Sequence, residues 1–303
     1  MTAKQTITSR ALFWRKNAEV EGESSGKGVK RRVPWLPLAL VTFFMILVVF
    51  GPWLAPHDPF KANLRNAIQP PVWSEQGSVT HLLGTDPMGR DILSRLIYGA
   101  RITLFVSLVS LGLAAGIGVL LGLIAGFFGG IVDMVIMRMV DVFLSLPPIM
   151  IAILIAAVLD PGVQTVILAI GLTVWSSYTR QVRGEVLSLK NKDFVRQARV
   201  AGCSNAHILF KDILPNVANT LIILFTLDIG RIIVASATLS FLGLGVQPPL
   251  ADWGMMLSEG RKYIVYAWWL VTFPGVFILL TVLGFNLCGD WLRDILDPKQ
   301  KLR

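Results

Sequence analysis

Charged side chains are scarce in this chain. They make up 16% of its 303 residues, against roughly 25% in a soluble globular domain. Cysteine is nearly missing. Cys203 and Cys288 stand far apart, which excludes a disulfide framework and a cysteine-based metal spacing. The three histidines, His57, His81 and His207, are isolated in sequence and suggest no nucleophile–base pair. No Gly-x-x-x-x-Gly-Lys-Ser/Thr phosphate loop occurs, so the chain lacks the usual means of binding ATP. No catalytic, cofactor-binding or metal-ligating residue is assigned. No internal repeat is visible, and the one low-complexity stretch is Glu19–Gly28.

What is present is hydrophobic. Apolar residues reach 54% and gather in runs long enough to cross a bilayer, about 20 residues each. The expected fold is all-α and polytopic, with six transmembrane helices at 36–56, 102–128, 136–159, 163–180, 217–245 and 268–289. Turn chemistry separates them: Gly129-Gly130 closes the second, Asp160-Pro161-Gly162 divides the third from the fourth, and Pro215 stands where the fifth begins. The first run is read as an anchor rather than a cleaved leader, since its end lacks a small-x-small cleavage site.

The net charge of +9 is spread among the spans and forms no basic domain, which argues against nucleic acid. It reads instead as topology. With the N-terminus inside, the inner segments hold 20 Lys and Arg and the outer ones 6. That bias puts both termini in the cytoplasm. The division is then a cytoplasmic tail, 1–34, and a transmembrane domain, 35–303. The domain carries outside loops at 57–100 and 246–267 and a cytoplasmic loop at 181–216. Loops of that length tend to carry function.

The cytoplasmic loop reads as a helix–turn–helix. Asp193 is placed to cap a helix of about two turns, Gly202 to end it in a left-handed conformation, and Ser204 to cap a second helix ending near Leu214. Phe194, Ala198 and Ala201 fall on one face. Such a unit suits insertion into a partner's groove. A helix lying on the inner leaflet fits the residues equally well.

Ionisable groups inside a span are functional candidates by default. Asp228 and Arg231, at i and i+3 in the fifth span, can neutralise each other or face a pathway. Arg138 and Asp141 repeat the spacing and are read as a structural pair. Glycines 112, 116, 118, 122 and 126 let helices approach closely. Asp86 and Asp91 lie in a turn before the second span; Arg90 between them argues against a calcium loop, and Asp91 and Arg95 suit an i,i+4 pair. Trp268 and Trp269 suit headgroup-level anchoring.

The cytoplasmic loop resembles the coupling loop of ABC-importer membrane subunits: Glu-Ala-Ala, three residues, Gly, a further short helix, then Leu-Pro. Here the frame reads Arg196-Gln197-Ala198, Gly202 and Ile213-Leu214-Pro215. Arg196 stands where the family has Glu, and Gln197 where it has the first Ala, so the charge is reversed at the leading position. Leu83–Arg95, Leu239–Gly254 and Phe285–Pro298 resemble stretches of the dipeptide and oligopeptide branch of these permeases, the C-type subunit most closely. The resemblance covers most of residues 36–303.

It implies a type I ABC importer transmembrane domain, non-catalytic itself, in a bacterial inner membrane. It also implies a related second permease as heterodimer partner, two cytoplasmic ATPases that bind ATP and Mg, and a periplasmic or surface-anchored peptide-binding protein. Residues 196–198, 202 and 213–215 would meet the ATPase. Nickel, glutathione or an antimicrobial peptide are alternative cargoes. A motor-independent secondary transporter or channel is a rival that would show repeated halves.

Overall fold

The computed structural model describes residues 35–296. The 1–34 tail and the Asp297-Pro298 end of the last motif lie outside the described residues. Those described form nine principal helices: α1 (Trp35–Leu54), α2 (Ile92–Phe128), α3 (Gly130–Ser145), α4 (Pro148–Val158), α5 (Val163–Leu189), α6 (Asp193–Val200), α7 (Leu214–Phe241), α8 (Trp253–Gly260) and α9 (Trp269–Leu296).

Among the described residues, four helices are long and apolar enough to cross a membrane: α1, α2, α9, and α7 together with the turns that lead into it from Asn205. The other two expected spans are built differently. The 136–159 stretch is a broken pair, α3 and α4, bent by 93°. Pro147 and Pro148 cause the break. Leu146 before them is extended (ψ 148°), as a residue preceding proline prefers, and Pro148 opens the next helix. The 163–180 stretch is the first part of α5, which continues to Leu189 and is more polar than a free-standing span. Two of its buried hydroxyls bond inside the helix: Thr173 donates to the Ala169 carbonyl (2.6 Å) and Thr179 to that of Trp175 (3.0 Å). Such local bonds let polar side chains sit at membrane depth.

α2 begins ten residues before the 102–128 span expected from the sequence. Its 37 residues run about 55 Å at 1.5 Å per residue, well beyond a hydrocarbon core of about 30 Å. Asp91 starts it, accepting the Ser94 amide hydrogen at 2.8 Å.

The glycine stripe of α2 divides in two. A methyl group on Gly118, Gly122 or Gly126 would meet Tyr178, Val182 or Val186 Cβ of α5 at 2.4–2.7 Å. The two backbones touch along two turns, and three glycines four apart make that possible. Gly112 and Gly116 have nothing within 4 Å and line an open recess with Phe210 and Phe225.

On the side of the bundle carrying loops 57–100 and 246–267, α1, α8 and α9 meet through Phe44, Trp253 and Phe277. These rings stand edge to face with centroids 5.7–5.8 Å apart. Trp253 is fully buried and its indole N–H donates to the Leu96 carbonyl at 3.0 Å. α8 is thereby fixed against α2 as well.

Candidate functional site

Three places carry the residues singled out in the sequence. The first is the 193–215 segment. α6 covers about two turns as expected, but Lys192 is its N-cap and Asp193 its first helical residue, without a side-chain cap bond. Gly202 is left-handed (φ 76°), and the Ser204 hydroxyl caps the next turn by accepting the His207 amide hydrogen at 3.3 Å. That second helix does not end near Leu214. It passes through a π-helical stretch, Ile208–Ile213, straight into α7.

Val195 is the fully buried residue of α6 and Ala198 packs on the core, while Phe194 and Ala201 are exposed. Period alone could not tell the face turned inward from the face turned out. The motif residues divide accordingly. Ile213 is fully buried and Leu214 partly so; with Ala198 they hold the segment to the bundle. Arg196, Gln197, Gly202 and Pro215 are exposed. Arg199 lies over the Phe127 ring at 5.4 Å, and Lys190 Nζ donates to the Gly126 carbonyl at 3.0 Å, so the end of α2 anchors the segment.

The second place is a cavity of about 460 Å³ between α3, α4, α5 and α7. Asp228 and Arg231 both line it, bonded to each other at 3.2 Å. They are the charged members of its lining; Thr173, Ser176, Ser177, Gln181 and Thr238 add uncharged polar groups. The two are thus paired and on the cavity wall at once. Arg138 and Asp141 do not pair. Asp141 takes Arg180, and Asp133 takes Arg183, so two ion pairs tie α3 to α5.

The third place is the face where loop 57–100 and α8 meet. Asp86 accepts from Arg90 Nε (2.6 Å) and from Arg95 Nη1 (2.7 Å), and both arginines also reach Glu259 of α8 at 3.1 Å. Burial pushes the Glu259 carboxyl up, and Arg90 pulls it back down. Arg95 is thus committed to Asp86 and Glu259, and the expected Asp91–Arg95 pair does not form. Asp252 caps α8, accepting the Met255 amide hydrogen (3.2 Å) and the Thr103 hydroxyl (2.7 Å). Its full burial pushes its carboxyl above the ordinary range. Trp269 is buried with its N–H on the Thr85 carbonyl at 3.3 Å, while Trp268 is exposed. Of the two expected anchors, only Trp268 can meet a headgroup.

His57 and His81 are not isolated in space. Their rings stack at 4.8 Å beside Asp91. The sequence separation of 24 residues hid this.

A long-helix bundle with a broken span, a polar-lined cavity and a helical segment held beneath it defines the transmembrane domain of a transporter. The chain belongs to the family of binding-protein-dependent transport system inner membrane components, whose model matches residues 118–302. Residues 29–71 match the N-terminal transmembrane domain of oligopeptide transport permease C. Relatives include the dipeptide transport system permease protein DppC of Escherichia coli K12, 46% identical over 264 residues, 87% of this chain and 88% of that protein. The di/tripeptide transport system permease protein DppC of Pseudomonas aeruginosa is 45% identical over 262 residues, 85% and 86% respectively. An inward-facing structure of the MetNI methionine ABC transporter shares the fold, with a TM-score of 0.56 at 19% identity, over 68% of this chain and 98% of that one. The protein is a multi-pass permease subunit of an ABC importer.

Proposed function

We propose that this permease carries dipeptides or short oligopeptides. It would form half of a path completed by a related second permease, fed from outside by a peptide-binding protein and driven from inside by two ATPases that hold the ATP and Mg. The observation that carries the reading is the Asp228–Arg231 pair on the cavity wall. A peptide with free ends has one ammonium and one carboxylate, and a wall offering one group of each sign can exchange its internal pair for two pairs with the cargo. The names of the relatives, dipeptide and di/tripeptide permeases, support the same class.

Coupling would run through the exposed face of the 193–215 segment, with Arg196, Gln197 and Gly202 toward the ATPase and Ala198, Ile213 and Leu214 gripping the bundle. Because the helix at 205–213 continues into α7, which carries Asp228, a displacement below would reach the cavity along one rod. ATP binding can drive the switch only if the ATPases bind its two states with different affinity. Both termini and the 193–215 segment would lie in the cytoplasm.

The test is reconstitution of the chain with its partner permease, ATPases and binding protein in liposomes, with ATP inside and labelled dipeptide outside. Uptake that requires ATP and is displaced by unlabelled dipeptide is expected. ATP-dependent uptake of nickel or glutathione in place of peptide would overturn the cargo assignment.

A further inference from the structure

The outer face holds a cluster that the transport reading leaves unused. His57 lies three residues past α1, His81 lies in the outer loop, and Asp91 is the N-cap of α2. The fold brings one ligand atom from each within 4.8 Å of the others. His81 Nδ1 stands 3.0 Å from Asp91 Oδ1, and His57 Nδ1 stands 3.8 Å from Asp91 Oδ2. We propose that His57, His81 and Asp91 bind a single divalent cation of the zinc class.

Geometry supports this first. A tetrahedral ion with bonds of about 2.0–2.1 Å keeps its ligand atoms about 3.3 Å apart. One ligand atom from each residue already lies within 4.8 Å of the others; His81 faces Oδ1 of Asp91 and His57 faces Oδ2, so rotation of the rings and the carboxylate would close the set on one ion. The donor set supports it next. Two imidazoles and one carboxylate suit zinc or a neighbouring transition metal, whereas calcium and magnesium take oxygen.

The charge balance of Asp91 points the same way. Its side chain is 2% exposed, yet among the described residues no lysine or arginine pairs with it, while Asp86 nearby has two arginines. A buried carboxylate calls for a cation or a full set of donors. Asp91 has the Ser94 amide and hydroxyl on Oδ2, at 2.8 and 2.7 Å, and His81 on Oδ1.

Supporting contacts hold the ligands in place, as outer-shell partners do in metal sites. The His57 backbone N–H donates to the Ser94 hydroxyl at 3.0 Å. The Asn66 amide lies 3.4 Å from His81 Nε2; with its amide turned over, it would accept from Nε2–H and leave Nδ1 for the ion. The His57 ring is 39% exposed against 9% for His81, which gives the ion an entry path and leaves a fourth position for water. The cluster shares no residue with the Asp228 cavity. Its ion would therefore act as a clasp between the end of α1, the outer loop and the start of α2, and would not be cargo.

The experiment uses the assembled permease complex, purified through a histidine-free tag, stripped with chelator, incubated with zinc chloride and gel-filtered. Elemental analysis should find a full equivalent of zinc per copy of this chain in excess of that held by complexes carrying His57→Gln or His81→Gln. His207→Gln should retain it. The zinc absorption edge of the wild-type complex should show nitrogen and oxygen neighbours, and added zinc should raise the Tm of the wild type but not of His57→Gln. His57→Gln carries the test if His81→Gln does not fold. Equal zinc in wild type and His57→Gln, or none in either at micromolar free zinc, would overturn the proposal.

Discussion

Asp228 and Arg231 sit one turn apart on α7, joined at 3.2 Å, yet the Asp228 side chain is 14% exposed and that of Arg231 is 82%. An ion pair so open on one side contributes little to stability, about 0–1 kcal/mol. Its residues are free to serve the cavity.

Asp228→Asn keeps the shape of the wall and removes its negative charge. If the carboxylate meets the peptide ammonium, this change should cut uptake of dipeptides with a free N-terminus by roughly tenfold, equivalent to about 1.4 kcal/mol. N-acetylated peptides should compete equally well against both proteins, and the amount of assembled complex should be unchanged. Loss of the complex itself would return Asp228 to a purely structural role.

The glycine contacts between α2 and α5 yield a sharper stability test. Gly122→Leu would drive a side chain into Val182 and the Thr179 carbonyl, which a bare Cβ already meets at 2.7 and 2.8 Å. Overpacking on this scale costs about 1–3 kcal/mol or more, and here both backbones would have to separate. A Cβ on Gly116 meets nothing within 4 Å in this chain, so the leucine of Gly116→Leu enters an open recess. A large fall in detergent Tm is expected for the first and a small change for the second, measured on the isolated chain.

Most of this architecture was legible because apolar run length and proline placement act locally. α1 and α9 lie within two residues of their expected starts, since a bilayer span needs little beyond its own composition. Most of the failures are tertiary, but one is local. The 136–159 run looked continuous because Pro147-Pro148 bends a helix without making it polar. Asp141 takes Arg180 in preference to Arg138 because α5 brings a guanidinium closer than the helix's own next turn. His57 and His81 meet only once the outer loop folds back on α2.

Asp252 is fully buried, caps α8 and takes the Thr103 hydroxyl. Burial has already raised its carboxyl toward the neutral form, so the site values its hydrogen-bond geometry more than its charge. Asp252→Asn should therefore cost little. Asp252→Leu removes the cap, worth about 0.5–2 kcal/mol, and strands the Thr103 hydroxyl, worth a further 1–3 kcal/mol or so. Tm measurements on the two variants should separate by several degrees. Below the raised carboxyl range the wild type should gain stability relative to Asp252→Leu, since a protonated native carboxyl is relieved of its buried charge.

Gly202 tests the coupling proposal. Its φ of 76° is a left-handed conformation, and it is exposed, with nothing within 4 Å of the point where a methyl group would sit. A substitution there acts through the backbone alone. Asn tolerates that region, whereas a β-branched residue resists it at about 1–2 kcal/mol. Gly202→Asn should keep the turn between α6 and the Ser204 cap, and with it ATP-dependent uptake. Gly202→Ile should shift α6 relative to Ile208–Ile213 and uncouple uptake from hydrolysis, with the chain still present in the membrane at its normal level. Because Ile213 and Leu214 keep their grip on the bundle in both variants, the difference reads the placement of α6. Undiminished uptake by Gly202→Ile with normal ATPase association would remove the 193–215 segment as the coupling element.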